Sequence, residues 1–134
     1  MLAKLALAGF LVAHAAIHAG FVSPRPPVTA GGPAWPFELR SWLLGPVGLD
    51  ADVARVLGLA LVALTVAGFG LAAITALGIA PSGLWPASVA IGAVASIALL
   101  GLFFHPWLVL GIAIDVALLW AVLLVRWTPE GVTP

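Results

Sequence analysis

The chain has 134 residues, of which 63% are hydrophobic and only 7% charged. Soluble globular domains carry roughly 25% charged residues, so this composition cannot clothe a water-facing surface, and lipid is the solvent that removes the need for one. Five basic and five acidic residues cancel, which leaves no case for nucleic acid or a polybasic lipid anchor; the absence of cysteine excludes disulfides, thiolate metal sites and dithiol redox chemistry.

The first apolar stretch covers about residues 3–22, with Lys4 near its start. That is the length of about 20 apolar residues that crosses a bilayer core. Ala13-His14-Ala15 resembles a signal-peptide cleavage site, but the apolar run continues past it to Val22, which reads as a span. Residues 23–52 form a long first loop. Its Pro24, Pro26, Pro27, Gly31, Gly32 and Pro33 forbid regular backbone. Within it, Pro36 to Leu44 is expected to make one or two turns of interfacial helix, with Trp35 and Trp42 at the headgroup level.

The second span is expected at about 53–79, capped by Asp50 or Asp52 and ended by Pro81 with Gly83. The third follows at about 86–104. The fourth begins after His105-Pro106 and covers about 107–126, closed by Arg126, Trp127 and Pro129. The expected fold is all-α: a four-transmembrane-helix bundle with a long irregular first loop, forming a single integral membrane domain over 1–134.

With four crossings, Trp85 and Trp127 fall at one interface and Trp35, Trp42 and Trp107 at the other, leaving Trp120 outside the pattern. Lys4 and Arg126 lie on the side of the termini, and Arg25, Arg40 and Arg55 on the other. Arg25 and Arg40 belong to the longer loop, where positive charge counts less. The reading therefore leans to a multi-pass protein of the cell (cytoplasmic) membrane with both termini inside.

Lipid tails are as apolar as Leu, so membrane helices associate through close packing of small residues. Ser88, Gly92 and Ser96 recur at four-residue spacing on the third helix, Ala16 and Gly20 on the first, and Ala63 and Ala67 on the second. These faces are expected to point inward.

Ionisable groups within a span are costly and turn toward protein or water. Here they are His14, His18 and Asp115, with His105 at a helix end. At about 1.5 Å rise per residue, His14, Ser96 and Asp115 each lie about 12 Å from the loop-one surface, with Thr65 slightly deeper and His18 about 6 Å in. Each helix thus offers one polar group to a shared layer. A His14/Asp115 pair with His18 one turn above and His105 near the mouth could relay protons, hold a quinone-like head group or bind a metal. His14 and His18 at i,i+4 share a helix face, as a metal site also requires.

Blander readings stand beside these. The pair can be a clasp that fixes helix register. His105-Pro106 reads most simply as a turn between the last two helices. Thr65 and Ser96 are expected to bond back to their own helix carbonyls. A Gly-rich phosphate loop, a G-x-S-x-G elbow and paired carboxylates are all missing from the sequence.

The run Leu11-Val-Ala-His14-Ala-Ala-Ile-His18-Ala-Gly20-Phe21, with Phe103-Phe104-His105-Pro106-Trp107 and then Asp115, resembles small four-helix bacterial membrane proteins loosely grouped as DoxX-like. The resemblance covers length, helix count and the long first loop, and it transfers no catalytic residue. It implies a four-helix bundle and a link to membrane redox complexes.

Three functional classes follow. The leading one is an accessory or structural subunit of a larger, redox-linked membrane complex, or of a homo-oligomer. The second is a binder of a lipid-like or quinone ligand at the His14/Asp115 layer. The third is a membrane enzyme using His14, His18 and Asp115, with a metal held by the two histidines. No particular cofactor is named by the sequence.

Overall fold

A computed structural model describes residues 1–27, 30–32 and 34–132. The described chain is all helical. Helix α1 (Leu2–His18) tightens into a 3₁₀ turn, Ala19–Val22; α2 is Ala51–Ala76; α3 is Trp85–Leu102, entered through the turn Ser82–Leu84. Helix α4 (Val109–Leu119) is entered through Pro106–Leu108 and widens into a π-helical turn, Trp120–Leu124. Four helical segments are long and apolar enough to cross a membrane, which makes this a multi-pass membrane protein.

Local chemistry sets the helix ends. The Asp50 carboxylate accepts from the Asp52 and Val53 amides and so caps α2. The helix ends earlier than the expected residue 79. Gly78 adopts φ +77, and the Gly78 and Ile79 amides bond back to the Thr75 and Ile74 carbonyls. This left-handed glycine closure terminates α2 before Pro81 is reached. The stretch from Pro36 to Leu44 does not form the expected interfacial helix. It has no regular secondary structure up to Ser41, whose hydroxyl accepts from the Leu43 and Leu44 amides and starts a run of turns.

Consecutive helices pack on one another, most closely α2 on α3. Gly68 and Gly92 form that crossing. A Cβ on Gly68 would lie 2.5 Å from the Gly92 backbone nitrogen, so the two backbones touch. Ser88, Gly92 and Ser96 are all buried. Ala16, Ala63 and Ala67, by contrast, face outward. The inward face of α2 is instead set by Val62, Thr65, Phe69, Ala72 and Ala76, because bulky Phe69 is fully enclosed.

The apolar core is in two parts. Leu11, Phe69, Trp85 and Val89 belong to the part near the termini. Phe21, Val62, Leu99 and Phe103 belong to the part under the first loop. His18, Thr65, Ser96 and Asp115 lie between them in sequence, one on each helix, with His14 one turn before His18, and all five are buried. Trp85 also departs from expectation. At the first residue of α3, it is fully buried in protein, donating its indole N–H to the Trp127 carbonyl at 3.0 Å and tying the C-terminal segment to α3.

Candidate functional site

The first loop closes one end of the bundle. Phe37 lies against Gly20, where a Cβ would come within 2.7 Å of its ring, and edge-on to Phe21 and Trp35. Ser41 and Trp42 donate to the Leu102 and Gly101 carbonyls at the end of α3, at 2.6 and 2.8 Å. Arg25 and Glu38 pair at 2.8 Å across the loop. Beneath this cover lies a vestibule of about 540 Å³, walled by Trp35, Phe37, Trp107 and prolines, with Arg25 at its edge.

Helices α1 and α4 do not pack as their neighbours do. Between them runs a crevice of about 100 Å³, with Ile17 on one side and Leu110, Gly111 and Ile114 on the other. Ile17, Phe37, Trp107 and Leu108 wall both spaces, so the crevice and the vestibule adjoin. His14 and His18 line its inner part.

At that point the polar layer forms one connected network. His14 Nε2 lies 2.8 Å from Asp115 Oδ1. Ser96 Oγ lies 2.5 Å from Asp115 Oδ2 and 2.7 Å from His18 Nε2. His18 Nδ1 lies 2.9 Å from the His14 carbonyl, one turn back on α1. A carbonyl oxygen only accepts, so His18 carries a proton on Nδ1. Phe69 and His18 both meet the His14 ring edge-on, at 5.0 and 5.1 Å, and fix its plane. Asp115 and Ser96 are 0% exposed, His18 1% and His14 4%. A carboxyl group is thus held away from water by three helices, with hydrogen bonds to both oxygens.

Ser96 does not bond back to its own helix, as expected from its residue type. Ser88 and Thr75 do, to the Trp85 and Leu71 carbonyls. Ser96 is drawn away because two stronger partners, a carboxyl and an imidazole, reach it from α4 and α1. Thr65 does not bond back either: its hydroxyl is buried without a hydrogen-bond partner among the described residues. His105 lies outside the network. Its Nδ1 accepts from the Trp107 amide and caps the short turn that opens α4.

The donor atoms of His14, His18 and Asp115 fall within 4.8 Å of one another. Each imidazole Nε2, however, is engaged with a protein oxygen, and His18 Nδ1 is protonated toward a carbonyl. As arranged, the cluster is a hydrogen-bonded network, and a metal would have to displace Ser96 and the His14–Asp115 bond to enter it. Hydropathy and spacing miss the crevice walls, Ile17, Phe37, Trp107 and Gly111, because these are apolar residues on spans or in a loop. The one available signal is Gly20, which admits the Phe37 ring. No protein-family model, curated protein or solved structure matches this chain.

Proposed function

We propose that the protein binds an amphipathic, lipid-like or quinone-like molecule whose polar head enters the α1–α4 crevice and meets His14. One observation carries this reading: an aromatic-walled vestibule adjoins a mostly apolar crevice whose lining includes the buried His14 and His18. A cavity of this size with few convergent polar groups is the usual form of a small-molecule site. With neutral His14 donating from Nε2 to Asp115, its Nδ1 is an acceptor, and that nitrogen makes no hydrogen bond among the described residues. The head group it suits is therefore a hydroxyl donor, as on a quinol or a hydroxylated lipid. Cytoplasmic-membrane location with inward termini completes this reading.

The test is native mass spectrometry of protein purified in mild detergent. Wild type is expected to carry a discrete small-molecule adduct. Ile17→Trp, which fills the junction of vestibule and crevice without touching the hydrogen-bonded network, is expected to lose it. A bare wild type, or an adduct retained by Ile17→Trp, overturns the proposal. Stoichiometric metal in the same spectra would favour the enzyme class instead.

The accessory-subunit reading is supported by a different observation. Ala113 and Ala117 lie four residues apart on the exposed side of α4, the least buried of the four spans. A partner helix could approach closely there. The DoxX-like resemblance, with its link to membrane redox complexes, points the same way. That reading expects a stoichiometric larger assembly in the same spectra, dissociated by Ala117→Leu.

A further inference from the structure

Two hydrogen bonds meet on Ser96 Oγ, one to Asp115 Oδ2 and one to His18 Nε2. The hydroxyl has one proton and can donate only once. If Asp115 were ionised and His18 Nε2 bare, one of these short contacts would set two lone pairs against each other. One further proton must therefore sit at an end of the chain, on the carboxyl or on the imidazole. His18 Nδ1 cannot supply it, because that nitrogen donates to the His14 carbonyl.

We infer that Asp115, Ser96 and His18 form a one-proton relay, in which a single proton belongs to either end and passes through the serine hydroxyl. In one state the Asp115 carboxyl donates to Ser96, which donates to neutral His18. In the other, His18 is an imidazolium donating to Ser96, which donates to the Asp115 carboxylate. Passage breaks the Asp115 O–H bond and forms one on Ser96, while the original Ser96 O–H breaks and an N–H bond forms on His18 Nε2. No electrons are transferred and the net charge does not change, which suits a site enclosed among apolar helices. His14 is a positioning residue: it donates to Oδ1 in both states and keeps Oδ2 turned to Ser96.

The neighbours leave the relay to these groups. From α1 the titratable side chains facing it are His14 and His18, and from α4 Asp115. Helix α3 presents only Ser96, and α2 presents the Phe69 ring, with Thr65 one turn away. The other charged residues sit in loops or near helix ends. His18 lines the crevice, but both its nitrogens are engaged, Nδ1 with the His14 carbonyl and Nε2 with Ser96, so the relay is internal to the bundle and does not rest on the proposed binding.

The test needs no ligand. Protein in lipid nanodiscs, with ¹⁵N-labelled histidine and ¹³C-labelled aspartate carboxyls, is followed by NMR across pH. With only three histidines and three aspartates in the chain, assignment by single substitution is practical. The relay predicts that near neutral pH Asp115 is ionised only to the extent that His18 Nε2 carries a proton, and that both signals change together in one shared step where that proton is lost at higher pH. Ser96→Ala is expected to separate them into independent steps, and Ser96→Thr, which keeps the hydroxyl, to restore the coupling. An ionised Asp115 alongside an unprotonated His18 Nε2 in wild type near neutral pH overturns the relay, as does unchanged coupling in Ser96→Ala. Should Ser96→Ala fail to fold, the wild-type titration still decides. Neither outcome bears on the adduct seen by mass spectrometry, so the two proposals fail separately.

Discussion

Replacing Asp115 by Ala and by Asn should give very different stabilities. Asp115 meets His14 Nε2 and Ser96 Oγ in a site that is 0–4% exposed. In Asp115→Ala, the Ser96 hydroxyl can still donate to His18 Nε2, so only an acceptor contact is lost there. The His14 Nε2–H is left with no acceptor, and a buried orphaned donor costs about 1–3 kcal/mol. The second lost bond adds about 0.6 kcal/mol, the mean for hydrogen bonds between membrane helices. The expected loss is about 2–4 kcal/mol in sum. Asn reproduces the protonated carboxyl: its oxygen accepts from His14 and its amide donates to Ser96. Asp115→Asn should therefore remain within about 1 kcal/mol of wild type. Unfolding by SDS titration in mixed micelles, followed by circular dichroism, measures both. An Asp115→Ala protein as stable as wild type would refute the reasoning, and so would an Asn variant as weak as Ala.

Other perturbations separate packing from chemistry. Gly68→Ala would drive its Cβ into the Gly92 backbone and should cost about 1–3 kcal/mol or more, as overpacking does. Gly70→Ala meets nothing within 4 Å and should be neutral or stabilising by up to about 1 kcal/mol through helix propensity; the same SDS titration compares them. His105→Ala removes one capping bond, so it should lose about 1 kcal/mol or less and keep any adduct seen by mass spectrometry. Trp85→Phe removes the bond to the Trp127 carbonyl, costing about 1 kcal/mol, and should speed protease cleavage of the C-terminal segment.

The spans were legible because hydropathy over some twenty residues outweighs any local preference, and the polar layer was legible as a set of depths because helical rise is constant. What depth cannot convey is azimuth. Ser96 and Thr75 are the same kind of residue to a sequence reader, yet Thr75 bonds to its own helix while Ser96 bridges two others. The difference lies in which groups α1 and α4 bring to that face. Ala63 and Ala67 show the same limit: their spacing marks a face, but Phe69 and Gly68 decide which face turns inward. Trp85 stands at a helix end, as its residue type suggests, but its indole is satisfied by a protein carbonyl instead of a wet headgroup. At the end of α2, Gly78 acts before Pro81 because a left-handed residue closes the helix carbonyls directly. The crevice depends on α1 and α4 standing apart at the rim of the bundle, which no local pattern records.

The most direct measurement is the response of the imidazole ¹⁵N signals to an added short-chain quinol in nanodiscs. With three histidines in the chain, each signal can be followed separately. Binding in the crevice predicts saturable shifts at His14 and His18, no change at His105, and loss of the response in Ile17→Trp. Shifts confined to His105, or no saturable shift at all, would contradict a ligand site at the intramembrane histidines.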